Sequence, residues 1–180
     1  MAKKPFIGIK EIYYGESIKE DLTPEKLKTW LKTATKVNNS HEGSYSFNQD
    51  DPTQEEYINE LTGQPYYIDI TNMGKKTIAF TMGEYEYAEM ATLCGGEVIE
   101  VDGSAVGWKA PTTPKLTYKA IVGKTKTDNY VVFTNAIIIG KNNTQSKNMG
   151  LGVTATAMES GVANVSAEYR FDGDAVDSEI

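Results

Sequence analysis

The sequence predicts a mainly β protein with two or three short helices, and three observations lead there. Past Gly96 helical periodicity stops, and turn residues recur at Asp102-Gly103, Pro111 to Pro114, Gly123 to Asn129, Gly140 to Asn148 and Ser160-Gly161. Residues 162–171 alternate, with Ala163, Val165, Ala167, Tyr169 and Phe171 against Asn164, Ser166, Glu168 and Arg170, as a half-buried strand does. Residues 130–139 place Val131, Val132 and Phe133, then Ile137, Ile138 and Ile139, on both faces of one strand.

Taken in order, residues 6–14 read as a first strand ended by Gly15. At Thr23 the period changes. Thr23 caps a helix that begins at Pro24, and Leu27, Trp30, Leu31 and Ala34 fall on one stripe. Residues 44–48 form a possible strand, and Asp51 with Gln54 around Pro52 reads as a capping box that opens a short helix running to about Leu61 and closed by Gly63. Residues 66–71 and 75–82 read as two strands around Asn72-Met73-Gly74. A third helix follows Gly83, with Tyr87, Met90, Ala91 and Cys94 on one stripe and Gly95-Gly96 as its stop. The 162–171 strand is expected to pair with 150–159 across Ser160-Gly161. The two-faced strand Tyr130 to Ile139 needs cover on both sides, from a helix of the same chain or from another copy of the protein.

At 180 residues, with 39% hydrophobic and 24% charged residues, the chain suits one domain, 1–180, with its own core. The apolar run after Met1 to Lys4 is too short for a secretory signal, and no stretch reaches the roughly 20 apolar residues of a membrane helix, so a cytoplasmic place of synthesis and no membrane partner are expected. On that reading the N-x-[ST] matches at Asn38, Asn142 and Asn164 carry no glycan. A net charge of −7 argues against sequence-independent nucleic-acid binding. Lys26, Lys28, Lys32 and Lys36 crowd one segment, while Asp172, Asp174, Asp177 and Glu179 make the end acidic; these are solvated faces or complementary patches on neighbouring subunits.

Catalytic patterns fail on count and spacing. His41 is the sole histidine and Cys94 the sole cysteine, which rules out the common zinc sets and an internal disulfide. No G-x-S-x-G elbow accompanies His41. Gly150, Gly152 and Ala155 match a dinucleotide fingerprint but lie in strand-forming sequence near the end of the chain. Asp50, Asp51, Glu55 and Glu56 lack the spacing and mid-loop glycine of a calcium loop. No catalytic, cofactor or metal residue is assigned, and Cys94 reads as a core thiol. Trp30, Trp108, Tyr13, Tyr14, Tyr45, Tyr66, Tyr67, Tyr85 and Tyr87 read as core and interface packing, or alternatively as the sugar-binding face of a carbohydrate-binding or adhesion β-sandwich.

The segments LTPEKLKTW (22–30), YINELTGQPY (57–66), IAFTMGEY (78–85), Gly95-Gly96 and GLGVTATA (150–157) resemble the tail tube proteins of long-tailed bacteriophages of the Bacteroides-type group. The resemblance implies a β-sandwich or barrel of the tail-tube type, flanked by a helix. It implies a structural virion protein that does no catalysis, whose partners are itself, in hexameric rings stacked into a tube, and other tail proteins. It places the protein in the virion tail, assembled in the host cytoplasm, with DNA passing through the lumen without specific binding. By position, the excursion 38–65 is the candidate inter-ring loop and residues 172–180 a flexible acidic C-terminal tail. Candidate assembly-interface residues are Tyr130, Val131, Val132, Phe133, Ile137, Ile138, Ile139, Asp50, Asp51 and Tyr57.

Overall fold

The computed structural model describes residues 4–178; Met1 of the basic start and Glu179 of the acidic terminus lie outside the described residues. In chain order the elements are β1 (Glu11–Gly15), α1 (Pro24–Leu31), β2 (Thr35–Lys36), β3 (Ser46–Gln49), β4 (Thr53–Asn59), β5 (Gln64–Asn72), β6 (Lys76–Met82) and α2 (Tyr87–Cys94). They continue with β7 (Glu97–Val101), β8 (Ser104–Lys109), β9 (Thr117–Lys124), β10 (Tyr130–Gln145), β11 (Asn148–Ala157), β12 (Glu168–Phe171) and α3 (Gly173–Asp177). The fold is mainly β. An antiparallel sheet of 8 strands runs β2-β1-β9-β10-β11-β6-β3, with β12 also on β10, and β4-β5 and β7-β8 form separate hairpins.

The 16-residue β10 organises the sheet. Its register on β9 shifts between Phe133 and Ala136, and the buried Thr134 gives its hydroxyl hydrogen to the Ser166 carbonyl at 2.7 Å. The first half, Tyr130 to Phe133, pairs with β12, and the second half, Ala136 to Gln145, pairs with β11. The sheet is curled. Ile12 and Tyr14 of β1 share one core with Ile121, Phe133, Val153 and Phe80 from the strands that follow, and Phe47 of β3, at the far end, packs into the same core 5.8 Å from Phe133. Met90 and Leu93 of α2 complete it.

On the convex side, Ala120, Val122, Tyr130 and Val132 lie beneath Leu27 of α1 and Val176 of α3. Leu27 is fully buried, worth roughly 1.5–3 kcal/mol for such a side chain. The Thr23 hydroxyl accepts from the Lys26 N–H and Pro24 opens the helix, as its sequence predicts.

Several expectations are corrected. Residues 52–62 are not a helix, because Thr53, Tyr57 and Ile58 pair with β5 as strand β4; the Asp51-Pro52 signal marks a strand entry. Glu60 to Gly63 is the hairpin turn, where Gly63 has φ +69° and its N–H bonds to the Asn59 carbonyl. The strands predicted at 66–71 and 75–82 exist but do not pair with each other; β5 pairs with β4, and β6 pairs with β3 and β11. The alternation at 162–171 yields a strand only at Glu168–Phe171, on β10 and not on 150–159. Before it the chain turns, with Asn164 at φ +65° and the Ser160 hydroxyl bonded within the loop. The first strand begins at Glu11, after Gly8 at φ +60° interrupts it.

The α2 stripe is shifted by one position. Met90 and Leu93 are buried, Tyr87 is exposed, and Cys94 is half-buried, its thiol pushed up by burial. The described part of the acidic terminus is ordered as α3. Val176 is buried, Asp177 binds Lys124 at 2.7 Å, and Lys4 binds Asp172 at 3.2 Å and Asp174 at 2.5 Å.

Candidate assembly surfaces

The most unusual element is the β4-β5 hairpin, an arm that stands away from the body. β3 and β6 are themselves an antiparallel pair, with Gln49 opposite Lys76 and the Asp50 N–H bonded to the Lys75 carbonyl at 2.9 Å. The arm is therefore an insertion at the turn of a hairpin that would otherwise close locally.

Side-chain contacts define its two faces, since residues two apart on a strand share a face. One face carries Thr53, Glu55 and Tyr57 opposite Tyr67, Asp69 and Thr71: the Thr53 and Thr71 hydroxyls are 3.2 Å apart, Tyr57 gives its hydroxyl hydrogen to Glu55, and the Tyr57 and Tyr67 rings lie 5.6 Å apart. The other face carries Gln54, Glu56 and Ile58 with Ile68 and Ile70. Ile58, Ile68 and Ile70 are about half exposed, at 50%, 48% and 57%. An isolated two-stranded hairpin is marginal in water, and Glu55 opposite Asp69 weakens this one further by placing like charges across the ladder. Residues 50–72 hold Asp50, Asp51, Glu55, Glu56, Glu60 and Asp69 and no lysine, arginine or histidine, so most of the chain's formal charge of −7 sits on the arm.

The second surface is the convex side of β10, β11, β6 and β3. The cover that Tyr130 to Ile139 requires is divided. Tyr130, Val131, Val132 and Phe133 are buried on both sides by the chain itself, α1 and α3 on one side and the curled core on the other. Within one chain these four interface candidates expose almost no side-chain surface. Ile138 likewise faces the core. Ile137 and Ile139 face outward, half-buried and 56% exposed, and among the described residues no helix lies over them. Around them lie Thr77, Ala79, Thr154 and Thr156, all half-buried. The strand segments 46–49, 76–82, 136–145 and 148–157 contain no acid, and Lys141 shares the face of Ile139.

Sequence reasoning missed this division, and it also missed the apolar tips at Leu61, 94% exposed, and Met149, 76% exposed. A signal for the arm was present: Tyr57-Ile58 and Tyr66 to Ile68 have strand composition. Asp50, Asp51 and Tyr57 are placed at the root and along one face of the arm, outside the body.

The His41 ring has its Nδ1 3.0 Å from the Glu42 carbonyl, beside a cavity of about 540 Å³ lined by Ile9, Val37, Ser40 and Tyr45, and burial pushes the Tyr45 hydroxyl up to about 12. Among the described residues no three of His, Cys, Asp and Glu gather to hold a metal, and no helix is long and apolar enough to cross a membrane. Compared with models of known families and with curated proteins, the chain matches none.

Proposed function

We propose that this chain is a structural subunit that works by assembling with copies of itself, and that the assembly is the tail tube of a long-tailed bacteriophage. The observation that carries the assembly reading is a double deficit within one chain: an acidic arm with exposed isoleucines, and a sheet face whose Ile137 and Ile139 lack the cover that the same face of the strand receives at Tyr130 and Val132. An antiparallel sheet commonly leaves its second face to water, but that face is then polar; here it carries Ile137 and Ile139, which no helix of the described residues covers. The tube reading rests on the sequence resemblance and on charge. Head-to-tail association closes into rings, and an acidic subunit repels DNA in transit instead of retaining it. In this reading the protein catalyses nothing and holds no cofactor; its other partners are further tail proteins, and its place is the virion.

Negative-stain electron microscopy with light scattering across a concentration series tests this. Rings or hollow tubes with a mass several times 19.8 kDa are expected. A monomer at every concentration overturns the reading. It would bring forward a carbohydrate-binding module, which the Tyr57 and Tyr67 rings beside Glu55 and Asp69 favour, as aromatic rings flanked by carboxylates suit a sugar.

A further inference from the structure

We infer that the isoleucine face of the arm docks on the bare convex face of a second copy, with Ile58, Ile68 and Ile70 over Ile137 and Ile139 and Glu56 near Lys141. The inference rests on the self-assembly reading and names the two surfaces that meet.

Three observations choose this occupant. The first is charge. The arm holds no base and the strands of the bare face hold no acid, so the two surfaces attract each other and each repels its own kind. Arm against arm would bring Glu56 and its carboxylate neighbours together; bare face against bare face would bring Lys141 to Lys141. The contact is therefore heterologous, head to tail, the kind that builds rings or filaments.

The second is shape. On β6 and β11 the bare face is lined by Thr77, Ala79, Thr154 and Thr156, short side chains that leave room on the convex surface for another two-stranded ribbon, with Tyr118 of β9 beside Ile137 as one wall; sheets pack at about 10 Å. The third is reach. The nine residues of β5 span about 30 Å at roughly 3.3 Å per residue, enough to cross several strands that lie about 4.8 Å apart. The arm's two faces then differ in role: isoleucines against the neighbour, and the tyrosine, threonine and carboxylate face toward solvent or a further copy.

Cysteine pairing tests it. Ile68→Cys and Ile139→Cys proteins are purified separately, checked for fold by circular dichroism, then mixed and oxidised; wild type, with Cys94 half-buried, sets the background. A disulfide joining residue 68 of one chain to residue 139 of another, seen by peptide mass spectrometry only in the mixture, is the expected result. In parallel, Glu56→Lys or Lys141→Glu alone should weaken association about tenfold or more, and mixing the two should restore it. A self-linked Ile68→Cys dimer, or rings that form without the 68–139 link and ignore both charge changes, overturns the inference while leaving self-assembly standing. A monomer under all conditions overturns both.

Discussion

Glu168 shows how one side chain can hold distant segments together. Its side chain is only 9% exposed, and its carboxylate bonds Lys76 and, at 2.7 Å, Arg170. The Arg170 guanidinium in turn lies 5.5 Å from the Phe6 ring and 5.2 Å from the Phe47 ring. Burial pushes the Glu168 pKa up, but the hydrogen bonds from the two cations outweigh it and hold the group below its usual range. A depressed carboxylate pKa stabilises the fold above the unfolded-state value and loses that contribution as pH falls through the folded-state value. Glu168→Gln should therefore cost about 2 kcal/mol at neutral pH, measured by urea unfolding, and the difference from wild type should close in strongly acidic buffer. The alternation of 162–171 assigns Glu168 to the solvent side. That failed because the side chain's chief partner, Lys76, is 92 residues away and no local pattern reports it.

Among the elements, α1 was the most readable, since Thr23, Pro24 and the Leu27 stripe are local signals that agree. The arm was the least. Asp51-Pro52 with Gln54 satisfies a helix-start rule that a strand entry can also satisfy, and the deciding partner, β5, begins only after the turn. Because β3 and β6 pair up to Asp50 and Lys75, replacing residues 51–74 by Asn-Gly should leave an ordinary two-residue hairpin. That variant is expected to keep its circular dichroism spectrum and melt within a few degrees of wild-type monomer, because the arm adds almost nothing to the core. Light scattering should find its association abolished. A variant that unfolds would show the arm to be part of the body after all.

At the scale of the molecule, the mainly β class was readable from the turns that recur past Gly96, and the central place of β10 from its two apolar faces. Strand order was not, because β10 takes partners on both sides from segments that periodicity cannot rank. The distinction between Val132, covered by α1 and α3, and Ile139, left bare on the same face, depends on where those helices end, which is a tertiary fact. One expectation follows from the proposed self-association. Association that occurs only in the folded state stabilises it by mass action, so the thermal midpoint should rise with protein concentration in scanning calorimetry and lose that dependence in the arm-less variant.

The arm's insertion at a locally closed turn also makes it a ruler. Its root is clamped by the β3-β6 register, so residues can be added to or removed from it without disturbing the body. Each added cross-strand pair lengthens it by about 3.3 Å and turns the next residues to the opposite face, so steps of two pairs, about 7 Å, keep the isoleucines pointing the same way. In the proposed arm-to-face contact, the spacing between neighbouring subunits would then be set in increments of two pairs.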